Sequence, residues 1–128
     1  MNKFLLYILL TLPFFSLNAQ SPNPNELFKI GFAAFQQGNH SFAIKNFNLA
    51  IDADPSRNYF YYNRGLAYKA SNMSEKAMQD FQSSIDLKPT AEAYYQLGLI
   101  KYEKGDMPGA SVEFENAKAI RIDVDKMN

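Results

Sequence analysis

The residue types that could do chemistry are few and poorly spaced for it. His40 is the only histidine and the chain has no cysteine. A multi-histidine metal centre, a zinc thiolate site, a disulfide framework and a thiol nucleophile are therefore excluded within one chain. His40 stands at a turn between Asn39 and Ser41, where a solvent-facing or capping role is expected. Asp52 and Asp54 precede Pro55, and Asp123 and Asp125 lie near the C-terminus. Such acidic pairs can suggest a cation site, but a calcium loop needs more oxygen ligands at set spacing and a glycine turn. The glycines are isolated, so they form no phosphate-cradling loop. Asn39-His40-Ser41 and Asn72-Met73-Ser74 match the glycosylation acceptor pattern. With no nucleophile–base pair and no metal set, no catalytic residue, cofactor or metal is expected, and the chain does not read as an enzyme.

Charge narrows the partners further. Thirteen basic and thirteen acidic residues balance to a formal net charge of zero, without the electrostatic footprint of a nucleic-acid binder. Aromatics are abundant, with eight Tyr and eleven Phe but no Trp. They belong to a phrase that recurs about every 34 residues: Gly31…Ala43-x3-Phe47…Pro55, Gly65…Ala77-x3-Phe81…Pro89, and Gly98…Ala110-x3-Phe114. Gly to Ala is twelve residues and Ala to Phe is four in every copy. A repeat of this length cannot bury its apolar side alone, so copies must stack.

The apolar positions follow helical spacing in segments of about 13 residues. They predict helix pairs over 25–37 with 41–53, 58–70 with 74–87, and 91–104 with 107–120. Gly38-Asn39, Ser71-Asn72 and Gly105-Asp106 supply the turns inside pairs, since Gly and Asn accept the left-handed conformation that ends a helix. Pro55 and Pro89 separate the pairs. Ser56, Thr90 and Asp106 are expected N-caps.

These residues resemble the tetratricopeptide repeat family over almost all of the chain after its leader. The three copies give Leu27-x2-Ile30-Gly31-x2-Ala34, Tyr61-x2-Arg64-Gly65-x2-Tyr68 and Tyr94-x2-Leu97-Gly98-x2-Lys101, each followed by its Ala-x3-Phe. The resemblance implies an all-α fold, a right-handed α-α superhelix of three helix-turn-helix repeats. Arg64 departs from the expected apolar residue and Lys101 from the expected Tyr. Phe35 and Tyr102 are expected to fill the space left by Ala34 and Lys101. The resemblance further implies that the first helix of each pair lines a concave groove, whose protein- or peptide-binding residues would be Phe28, Phe32, Tyr59, Tyr62, Asn63, Leu66, Tyr95, Gln96 and Leu99. Some family members clamp a C-terminal carboxylate with Lys, Asn and Arg. Of the matching positions Phe28, Phe32, Asn63, Glu92 and Gln96, only Asn63 fits, so acidic chaperone-type tails are not expected ligands.

The two ends read differently from the middle. Lys3, the apolar run Phe4 to Phe15 and the polar stretch to Ala19 have the form of a signal peptide over residues 1–19, shorter than the roughly 20 apolar residues of a membrane span. Export to a bacterial periplasm or secretion is expected, with no membrane contact after cleavage; an uncleaved membrane anchor is the competing reading. Residues 20–24 read as a flexible leader, 25–122 as the repeats (about 24–57, 58–90 and 91–122), and 123–128 as a tail. At the far end, Ile44 and Met78 correspond to Ser111, and Ile51 and Ile85 to Lys118. This polar switch reads as the outer face of a terminal repeat. The tail is expected to fold back over Phe114, Ile120, Ile122 and Val124, with a homodimer or partner contact as the competing reading. Binding of a protein or peptide by an exported adaptor is the leading expectation. Assembly through the C-terminal end and carbohydrate or cell-wall binding are its rivals.

Overall fold

The computed structural model describes the backbone of residues 21–127 and the side chains of residues 21–121. The expected signal peptide of residues 1–19 lies outside them. Among the described residues six helices run in sequence: α1 Pro24–Gln36, α2 His40–Ala53, α3 Asn58–Ala70, α4 Ser74–Leu87, α5 Ala91–Glu103 and α6 Met107–Met127. No strand occurs among the described residues. Each odd helix packs against its successor as a pair, and the pairs stack through α2 on α3 and α4 on α5.

The repeated phrase explains the pairing. A Cβ built on Gly31 would lie 2.9 Å from the Phe47 ring, on Gly65 2.8 Å from Phe81, and on Gly98 2.7 Å from Phe114. Glycine is thus the space into which the ring of the second helix fits, and the spacing of 16 residues recurs because this contact recurs. Ala43, Ala77 and Ala110 are buried on the facing helix. Phe47, Phe60 and Phe81 are wholly buried, and burying a ring of this size contributes about 2–3 kcal/mol.

The turns behave as their chemistry dictates. Gly38, Asn72 and Gly105 adopt φ of 77°, 58° and 84°, where only Gly and Asn-like residues sit at low cost. Asn23, Asn39, Thr90 and Asp106 accept hydrogen bonds from the backbone N–H groups of Asn25, Phe42, Ala93 and Gly109. Ser56 is not the cap expected of it. Asp54 instead accepts hydrogen bonds from both the N–H and the hydroxyl of Ser56, and α3 starts without a side-chain cap.

Three other expectations are corrected. His40 neither faces solvent freely nor caps α2. Its ring packs on Phe35 at 5.4 Å between centroids, and Nδ1 is buried without a partner. Tyr102 does not fill the space beside Lys101, because it is 55% exposed; Lys101 occupies the site itself and donates to Glu113 Oε1 at 2.5 Å. The C-terminal residues do not fold back: α6 runs on through Met127, so the tail of 123–128 is helical over its described part.

Candidate binding surface

The first helices of the three pairs stand side by side. Tyr59 on α3 donates its hydroxyl proton to Asn25 Oδ1 on α1 at 3.0 Å. Lys69 on α3 reaches α5, donating to Gln96 Oε1 at 3.2 Å and lying 3.8 Å from Glu103. Residues at i, i+4 and i+7 share a helix face, and that spacing gives three parallel stripes: Phe28, Phe32 and Phe35 on α1, Tyr62, Leu66 and Lys69 on α3, and Tyr95, Leu99 and Tyr102 on α5.

The stripes differ in how much they expose. Phe28 is a half-buried hub. Its ring lies 5.0 Å from Tyr59, 5.3 Å from Phe60, 5.6 Å from Phe47 and 6.0 Å from Phe32. Tyr62 and Leu66 pack on the core around Phe81, with the Tyr62 ring 5.7 Å from the Phe81 ring. Burial chiefly, and the negative charge of Glu92 next, push the Tyr62 hydroxyl above its ordinary pKa, against a hydrogen bond with Gln96. Phe32 and Tyr95 are exposed at 39% and 50%, and they offer contact area on stiff rings. Leu99 is half-buried between them in character.

Asn63 and Gln96 lie off these stripes. Asn63 donates one of its two amide N–H groups to the carbonyl of Tyr59, 2.7 Å away on its own helix. Gln96 bridges to Lys69. Sequence reasoning passed over Tyr102 as a surface residue, although its i, i+7 spacing from Tyr95 carries the signal. Among the described residues no group of three or more His, Asp or Glu side chains is placed to hold a metal ion. Nor is any helix there long and apolar enough to cross a membrane.

A second concavity opens at the C-terminal end. It has a volume of about 610 Å³ and lies between α5 and α6, lined by Ala91, Glu92, Tyr95, Phe114, Ala117, Lys118 and Arg121. Phe114 forms its floor against Tyr95, 5.6 Å between ring centroids. A smaller hollow of about 340 Å³ adjoins it past Thr90 and Ile120.

Residues 59–90 match the family model described as tetratricopeptide repeat. The chain is 30% identical over 103 residues to the Photosystem I assembly protein Ycf3 of Acaryochloris marina, covering 77% of this chain and 62% of that one. It is 31% identical over 98 residues to the heat-shock protein cognate co-chaperone sgt12 of Aspergillus fumigatus, covering 76% of this chain and 29% of that one. The chain thus spans less than two thirds of the length of either relative. The crystal structure of MamA superposes with a TM-score of 0.81 at 25% identity, over 84% of this chain and 63% of the other. The helix pairs and these similarities together make the fold a tetratricopeptide-repeat solenoid.

Proposed function

We propose that this tetratricopeptide-repeat protein is a non-enzymatic protein-interaction module that takes a peptide segment or a partner helix on the face formed by α1, α3 and α5. The observation that carries this reading is the set of parallel stripes, in which the exposed rings of Phe32, Tyr95 and Tyr102 flank the packed floor of Tyr62 and Leu66. Large rings at the rim of an apolar groove are what helical or extended peptides dock against. Relatives named as an assembly protein and as a co-chaperone are consistent with such a role.

The ligand differs from a chaperone's acidic C-terminal tail. Such a tail needs cationic clamps, whereas the matching positions here hold Phe28, Phe32, Glu92 and Gln96, with Asn63 alone of the family set. An internal segment with apolar anchors fits better. We further propose that residues 1–19 direct export, and that the module works in a periplasm or outside the cell. The motive is the charged start, the apolar run and the small residue at Ala19.

A peptide-display selection against the purified protein tests the binding reading. Phe32→Ala with Tyr95→Ala, both at exposed positions, should weaken selected peptides at least about tenfold while leaving the helical circular dichroism intact. Peptides that bind the double variant as tightly as the parent would place the site elsewhere. Mass spectrometry of the N-terminus after expression with an export machinery tests the second reading: a chain that keeps Met1 contradicts it.

A further inference from the structure

Among the described residues the solenoid contains two internal copies of one interface and the two unpaired halves of a third. Internally, α3 enters the furrow between α1 and α2, where Phe60 clusters with Ile51 and Ala67 with Ile44. One repeat later α5 enters the furrow between α3 and α4, where Ala93 and Ile100 cluster with Ile85 and Met78. The furrow between α5 and α6 is the 610 Å³ cleft floored by Phe114, and no helix among the described residues enters it. Nor does any described residue cover the face of α1 that corresponds to the inserting faces of α3 and α5. It carries Glu26, Ile30 and Ala33 where α3 carries Phe60, Arg64 and Ala67, and Ile30 is 47% exposed.

The two free halves are complementary in register. At the furrow, Lys118 stands where Ile51 and Ile85 stand internally, and Ser111 where Ile44 and Met78 stand. On the incoming face, Glu26 stands at the position that meets the first of these, and Ala33 at the position that meets the second. An apolar pair has become Glu26 opposite Lys118, on a cleft wall that carries two cations, Lys118 and Arg121, and one carboxylate, Glu92. Side chains of Glu26 and Lys118 are 60% and 67% exposed, and among the described residues each pairs with a neighbour on its own helix. Ser111 opposite Ala33 is small on both sides. Charge exchange at matched positions is how a stacking contact is made reversible and specific.

We propose that α1 of a second copy of this chain docks into the α5–α6 cleft and continues the stack head to tail, with Glu26 set against Lys118 and Arg121, and Ile30 against the apolar floor. Such a contact is heterologous, so it does not close on itself at two copies. It shares the Tyr95 edge with the peptide stripes, but its test reads self-association rather than peptide binding.

The test is sedimentation velocity on the full-length chain over rising concentration at low salt. Masses should climb past two subunits, and Glu26→Lys or Lys118→Glu alone should each weaken association about tenfold. Mixing the two single variants should restore it, because each then offers the charge the other lacks. Association driven by the apolar stretch Phe4 to Phe15 would ignore both reversals, and that result overturns the proposal. A monomer at all concentrations overturns it equally. Because the chain has no cysteine, Ala33→Cys combined with Ser111→Cys gives a second readout. Oxidation should yield a ladder of disulfide-linked species, whereas Lys45→Cys with Ser111→Cys should not. Failure of the first pair to cross-link, or equal cross-linking by both pairs, rejects the register.

Discussion

Arg64 holds Asp80 with two parallel hydrogen bonds, Nε to Oδ2 at 2.8 Å and Nη2 to Oδ1 at 2.7 Å, while Nη1 donates to Asn48 of the preceding repeat at 2.7 Å. The guanidinium also lies 5.7 Å from the ring centroids of Tyr61 and Tyr68. Burial disfavours its charge, but the hydrogen bonds and charge of Asp80 outweigh this and keep it above its usual pKa. The third repeat solves the same problem with Lys101 and Glu113. The first has Ile30 and Asn46 instead, and the Asn46 amide donates to the Phe42 carbonyl.

The first repeat therefore predicts how the second can be altered. Arg64→Ile alone leaves Asp80, 4% exposed, without its cation, and should cost about 2–4 kcal/mol. Adding Asp80→Asn rebuilds the Ile30–Asn46 combination and should recover most of that loss. Urea unfolding of both variants measures the difference; a double variant as weak as the single one would show that the pair is not interchangeable with its neutral counterpart.

Ser84 is wholly buried and its hydroxyl has no hydrogen-bond partner among the described residues. The corresponding positions are Ala50 and Ala117. Ser84→Ala removes an unpaired polar group and should stabilise the protein by roughly 1 kcal/mol. A lower thermal midpoint would mean that the hydroxyl does find a partner.

Gly65 and Gly98 look alike in sequence and should not behave alike. A methyl at Gly65 meets a Phe81 ring buried on every side, and overpacking of this kind costs about 1–3 kcal/mol even after the helical gain of Ala over Gly. At Gly98 the obstructing ring is Phe114, which faces the open cleft and has room to swing. Gly98→Ala should thus be the milder change by thermal denaturation, and equal losses would argue that Phe114 is as confined as Phe81.

Asp54 provides a pH-dependent element. Hydrogen bonding from Arg57 first, and from the Ser56 hydroxyl and N–H next, lowers its pKa from 3.8 to about 2. A carboxylate depressed in the folded state stabilises fully above its unfolded pKa, and that contribution fades as pH falls from about 4 to about 2. Asp54→Asn lacks the titration, so its stability should change less across that window. Urea midpoints at pH 5, 4, 3 and 2 for both proteins check the sign; parallel curves would remove Asp54 from the account.

The sequence by itself determined the helix pairs, their turns and their stacking. Those features depend on local chemistry or on a contact that recurs at fixed separation: left-handed turns at Gly38, Asn72 and Gly105, and a glycine facing a ring sixteen residues later. Boundaries read from turn residues fall within a residue or so of the helices, except at α6, where no Gly or Pro stops the chain after Ile120.

Only the tertiary structure decided which polar residues act together. The Arg64–Asp80 and Lys101–Glu113 pairs join different helices through different repeat positions, so neither the period nor a helical wheel reveals them. Nor does the pattern distinguish Asn63, turned back on its own helix, or Phe28, drawn into the core, from the exposed Phe32 and Tyr95. Helix spacing fixes the face a side chain occupies, but burial depends on the neighbour that packs against that face, and in a stack that neighbour comes from another repeat.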